Sequence, residues 1–243
     1  MVVEHPDLSQ RGPAQAMSGH APAPASFKAS VNGFGFANRW PHVPPLRFRL
    51  GGPVPVELAI GDAANGLCGG MAFAALDLWF AEVPAPRQPK PPIEGTPEFK
   101  YLVRRQLDSF EIGLGPARFY LLGAPWRSAE SRAAEVLRRE LPRIRRELEA
   151  GRPVAIGLVH AVSANPATLI QDHQVVACAL EAGPDPDTLS LRIYDPNLPG
   201  EDTVRLLVGR DSSGALVLAY SGGPPVVAFF QQGYSPHDPL PWR

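Results

Sequence analysis

The period of the sequence changes at Pro153, and that change limits the fold more than any other feature. Beyond it, short apolar runs follow one another: PVAIGLVH (153–160), HQVVACAL (173–180), LSLRIYD (189–195), DTVRLLV (202–208), ALVLAY (215–220) and VVAFF (226–230), separated by Gly, Pro and Asp. Short runs broken by turn residues at this interval predict antiparallel strands. Ahead of Pro153 the signals are helical. Gly69 to Ala81 is apolar on nearly every side, which predicts a buried helix. A second helix is expected from Pro97 to about Phe110. A third is expected to start at Ser128 as N-cap, with Leu137, Leu141, Ile144 and Leu148 along one face and Gly151 at its end. Pro142 falls inside that third helix and should distort it. Helices first and strands second imply an α+β fold with a mostly antiparallel sheet packed on helices.

Composition adds bounds to this reading. With 29 prolines and 23 glycines among 243 residues, long regular elements are excluded and a loop-rich domain is expected. Residues 1–26, rich in Pro, Ala and Ser, read as a flexible tail, and residues 27–243 as a single domain. A formal net charge of −1 speaks against a nucleic-acid partner. The stretch closest to a membrane span, Leu67 to Val83, contains Asp77 and Glu82, so no membrane span is expected. The first twenty residues lack the basic start and apolar stretch of a signal peptide. Cys68 and Cys178 are too few for a disulfide framework, and a cytoplasmic protein is expected. The histidines show no metal-ligand spacing. The Arg-rich exterior of the third helix alternates with glutamates and reads as a solvated face. Trp40, Trp126 and Trp242 adjoin prolines and read as packing anchors.

Chemistry concentrates in three short stretches. In NGLCGGM (65–71), a turn delivers Cys68 to the start of the apolar helix. Unpaired N–H groups and the helix dipole there favour a thiolate, the nucleophilic form of cysteine. Gly69 and Gly70 are poor helix formers, which makes sense where something must approach the backbone, such as a substrate carbonyl. A thiol nucleophile needs a base, and the base needs an orienting group. His173 opens one strand, and the next ends in YDPN (194–197). An antiparallel pair places the start of one strand beside the end of the next, so His173 meets Asp195, with Asn197 as the other candidate to orient it. Cys178 is an odd number of residues from His173 and is expected on the opposite sheet face, in the core. His160 ends a strand and reads as a structural histidine at the edge of the cleft.

LCGGM, DHQVVA and YDP resemble the papain-like cysteine peptidase superfamily, in the flavour of its bacteriocin-processing branch. The resemblance covers roughly Gly61–Phe80 and Pro153–Val208. It implies a papain-like fold in which a buried helix carrying the cysteine packs against the sheet. It also implies a thiol peptidase or amidase acting through a Cys68 thioester, with His173 as general base and acid and Asp195 orienting it. The implied substrate is a peptide or amide, and no cofactor or metal is implied. Papain-like enzymes carry a glutamine shortly before the cysteine as oxyanion donor, whereas the residue six positions upstream here is Asp62. Asn65 and Asn38 are the candidates to supply that amide. The alternative is a catalytically silent papain-like domain that binds a peptide or protein partner.

Overall fold

A computed structural model describes residues 26–40, 46–50, 56–60, 66–111 and 114–242. Residues 1–25, which make up nearly all of the expected tail, lie outside the described residues, as do His42, Asp62 and Asn65. The fold is α+β. A short helix α1 (Ala29–Asn32) precedes a two-stranded antiparallel hairpin, β1 (Leu46–Leu50) and β2 (Val56–Ile60). Helices α2 (Cys68–Phe80), α3 (Pro97–Asp108), α4 (Leu114–Gly123), α5 (Ala129–Glu135) and α6 (Leu141–Glu149) follow. Strands β3 (Val154–Val159), β4 (His173–Ala182), β5 (Leu189–Tyr194), β6 (Arg205–Arg210), β7 (Leu216–Tyr220) and β8 (Ala228–Gln231) complete the chain. They form one six-stranded sheet in the order β7-β6-β5-β4-β3-β8, with every neighbouring pair antiparallel.

Helices cover both faces of this sheet. On one face, Ala155, Val176, Cys178 and Tyr194 join a cluster with Phe34, Met71, Phe73 and Leu102. On the other, Ile156, Val175, Ala177 and Ile193 pack with Leu122, Val136, Leu141 and Ile144. The alternation along β4 is the period of two that a strand imposes. It survives a β-bulge at Cys178, where the register to β5 shifts by one residue. Both cysteines are free, and Cys178 is buried in the core.

Helix α2 is buried from Gly69 to Leu78. Each Leu or Phe taken from water there contributes roughly 1.5–3 kcal/mol. That outweighs the roughly 1 kcal/mol of helix propensity lost at each of Gly69 and Gly70. What comes close to these glycines is the protein itself. A Cβ on Gly69 would stand 1.5 Å from Gln174 Oε1, and one on Gly70 would stand 2.2 Å from the Leu102 carbonyl oxygen. The clearance expected for a substrate is therefore taken up by α3 and β4.

The third expected helix is present but divided. Ser128 caps α5 by accepting from the Ser131 N–H. A π turn over Val136–Glu140 then leads into α6, and Gly151 follows with φ of +74°. Pro142 has no N–H to give the preceding turn, and the widened π turn absorbs that defect. Of the three tryptophans that adjoin prolines, Trp40 is buried with its Nε1 donating to the Pro92 carbonyl, and Trp242 packs edge-on against Tyr101. Trp126 is not an anchor: it is 65% exposed, against Tyr120 alone among aromatic neighbours. Among the described residues no helix is long and apolar enough to cross a membrane.

Candidate active site

Strands β3, β5 and β7 end at the same edge of the sheet where β4 begins, because antiparallel neighbours alternate in direction. The residues at those ends are His160, Asp195, Tyr220 and His173. The start of α2 meets this edge, and between them lies a cleft of about 310 Å³ lined by Cys68, His173, Asn38, Asn197, His160 and Tyr220, among others. Asn38, Cys68, His173 and Asn197 thus share one cleft, and Asp195 lies behind His173. Asn65 is outside the described residues.

His173 Nε2 stands 2.7 Å from Asp195 Oδ1. Asp195 is a buried carboxylate with two further donor contacts: the Asn197 N–H at 2.8 Å on Oδ1 and the Tyr220 hydroxyl at 2.5 Å on Oδ2. Burial pushes the Asp195 carboxyl up, but His173, Tyr220 and Asn197 together hold it below the usual carboxylate range. Burial likewise opposes charge on His173. Asp195 first and Cys68 second overcome it, so His173 keeps its proton well above the ordinary histidine range. Since Nε2 is committed to Asp195, Nδ1 is the ring nitrogen left for Cys68, whose proximity also favours the charged imidazole. Asn197, the other candidate to orient the imidazole, flanks it with Nδ2 at 3.3 Å from Nε2.

Asn38 comes from the loop after α1. Its side chain packs on Gly66, its N–H donates to the Pro196 carbonyl at 2.8 Å, and its Nδ2 donates to Asn197 Oδ1 at 3.1 Å. It fastens the YDPN turn to the segment that leads into Cys68. His160 donates Nδ1 to the Pro225 carbonyl at 2.9 Å; a carbonyl can only accept, so Nδ1 carries the proton. Burial, aided by the charge on His173, lowers its proton affinity. Asp172 closes the loop between β3 and β4 by accepting the His160 N–H at 2.9 Å, and burial pushes its carboxyl up to about 7.

The sequence reading missed two contributors to this cleft. Tyr220 ends β7, two strands from β5 and running in the same direction; its position as the last residue of an apolar run was the available signal. Gln174 follows His173 and, by strand alternation, points to the opposite face, toward α2. Among the described residues no three His, Cys, Asp or Glu side chains converge as a metal site. Comparison with known proteins gives no match: no family model, no curated protein and no solved structure aligns with this chain.

Proposed function

We propose that this cleft is the active site of a papain-like thiol hydrolase acting on a peptide or amide. The observation that carries the reading is the gathering of Cys68, His173 and Asp195 at one cleft, with the Asp195 carboxylate 2.7 Å from His173 Nε2 and Cys68 lining the cleft with the same ring. An imidazolium held beside a thiol is the arrangement that yields a nucleophilic thiolate. In the proposed cycle, the Cys68 sulfur bonds to the substrate carbonyl carbon. His173 gives its proton to the departing nitrogen as the tetrahedral centre collapses to a thioester. It then takes a proton from water as the water oxygen bonds to the carbonyl carbon, and the sulfur leaves. Asp195 fixes the ring orientation and stabilises its positive charge. Phe110, Phe119 and Leu169, which also line the cleft, supply apolar walls suited to substrate side chains.

Iodoacetamide labelling read by intact mass tests the reading, with Cys178 as internal control. Burial pushes the Cys178 thiol up to about 12, so it stays inert near neutral pH. Cys68 is expected to alkylate rapidly at pH 7, and His173→Ala to slow it at least tenfold. A Cys68 no more reactive than Cys178 overturns the proposal.

A further inference from the structure

The start of α2 leaves two backbone donors, the Cys68 and Gly69 N–H groups, without acceptors among the described residues. The next donor, the Gly70 N–H, is taken by Gln106 Oε1 at 2.9 Å. That single bond orients a chain of buried amides. With Oε1 committed to Gly70, Gln106 presents Nε2 to its neighbour, and Nε2 lies 3.4 Å from Gln174 Oε1. Ser109 Oγ approaches the same oxygen at 3.0 Å. Gln174 is only 3% exposed and rests on the Cα of Gly69. Its oxygen is thereby turned inward, and its Nε2 has no acceptor among the described residues. Yet Gln174 lines the cleft together with Cys68. With its oxygen held by Ser109 and Gln106, the amide N–H end of Gln174 is the end left to a ligand in that cleft.

We infer that Gln174 is the side-chain donor for the carbonyl oxygen of the acyl group attacked by Cys68, a role that rests on the thiol-hydrolase reading above. When the Cys68 sulfur bonds to the carbonyl carbon, the carbonyl π pair moves onto oxygen. That oxygen accepts from Gln174 Nε2 and from the backbone N–H of Cys68. When the pair returns, the bond to the leaving group breaks and the thioester remains. Gln106 and Ser109 orient the Gln174 amide before the reaction, and a donor oriented in advance is the condition for strong oxyanion stabilisation. Asn38 is the poorer candidate, because its Nδ2 already donates to Asn197. The donor therefore comes from the strand that carries His173 instead of from the segment upstream of the cysteine.

The test uses two probes on the full chain and two variants. 4-Nitrophenyl acetate acylates the thiol through a tetrahedral oxyanion and releases 4-nitrophenolate; iodoacetamide alkylates the same thiol with no oxyanion. Gln174→Met removes the donor at similar volume, and Gln174→Glu keeps the oxygen facing Ser109 while placing a carboxylate beside the oxyanion. Circular dichroism confirms folding of each. Acylation is expected to fall roughly 10²–10³-fold in both, with alkylation within twofold of wild type. Variants that acylate like wild type overturn the role of Gln174 and leave the thiol-hydrolase reading standing. Variants in which alkylation falls as far as acylation also overturn it, because Gln174 would then act through the Cys68–His173 geometry. A wild-type Cys68 inert to both probes overturns the underlying reading and this inference with it.

Discussion

The Tyr220 hydroxyl donates to Asp195 Oδ2 at 2.5 Å, on the carboxylate oxygen that His173 does not use. Gly222 makes this contact possible: a Cβ there would stand 2.5 Å from the Tyr220 oxygen and 3.0 Å from Asp195 Oδ2. A hydrogen bond to a buried charged group is worth about 1.5–3 kcal/mol. Tyr220→Phe is therefore expected to lower unfolding free energy by about that amount in urea denaturation. It should also slow Cys68 alkylation by less than His173→Ala does, because the imidazole keeps its carboxylate but with looser aim. An unchanged urea midpoint would show that the hydroxyl contributes nothing.

Asp172 gives a prediction in pH. Its carboxyl is raised by burial from the ordinary 3.8 to about 7, so the folded chain holds this proton more tightly than the unfolded chain. The stabilisation is complete below the unfolded value and is lost as pH rises through about 7. Asp172→Asn keeps an oxygen for the His160 N–H and removes the titration. The difference in melting temperature, variant minus wild type, should grow from pH 4 to pH 8. Slopes from His173 and other groups appear in both proteins and cancel. A difference independent of pH would exclude the effect.

Tyr220 and Gln174 mark the limit of what the sequence made legible. The approach of His173 to Asp195 follows from a single hairpin: two apolar runs, a turn between them, and the rule that one strand starts where its neighbour ends. Burial of α2 follows from a run apolar on every side. Tyr220 reaches Asp195 only through the order β7-β6-β5, and strand order in space is a long-range property. Gln174 has its proposed role only because α3 and its C-cap supply Gln106 and Ser109 beneath it. The helix over Leu114–Gly123 was hidden by Gly115 and Pro116, both poor helix formers near its start. It is held by tertiary contacts: Phe119 packs edge-on against Phe230 with ring centres 4.7 Å apart.

The paired glycines of α2 should separate stability from function. A Cβ on Gly70 meets a backbone oxygen, Leu102 O, at 2.2 Å, and neither helix can yield without unpacking. Overpacking costs about 1–3 kcal/mol or more, against about 1 kcal/mol of helix propensity gained by alanine. Gly70→Ala is thus expected to lower stability clearly. On Gly69 the Cβ meets only side-chain ends, the Gln174 amide at 1.5 Å and the Ser109 hydroxyl at 2.3 Å, which can turn aside where a backbone oxygen cannot. Gly69→Ala should cost less in urea denaturation and yet impair acylation by 4-nitrophenyl acetate, since it displaces the amide. Equal stability losses with intact acylation in Gly69→Ala would contradict this.

Asp77 fixes the helix that carries the cysteine. It is 1% exposed and accepts from Tyr101 at 2.8 Å, from Arg105 at 2.7 and 3.1 Å, from Tyr234 at 2.8 Å and from the His237 N–H at 2.8 Å. Arg105, equally buried, also donates to Asp108 and to the Ser235 carbonyl, so α2, α3 and the C-terminal segment meet at one carboxylate. Removing one partner of a buried ion pair leaves the other charge uncompensated and costs about 3–5 kcal/mol. Asp77→Ala should lose at least that much, because two tyrosine hydroxyls and a backbone N–H lose their acceptor as well. The double variant Asp77→Leu with Arg105→Met removes both charges. It should recover part of the loss, with urea denaturation of all three proteins as the measurement. Should the double variant be less stable than Asp77→Ala, the remaining hydroxyl and amide donors, and not the orphaned guanidinium, dominate the cost.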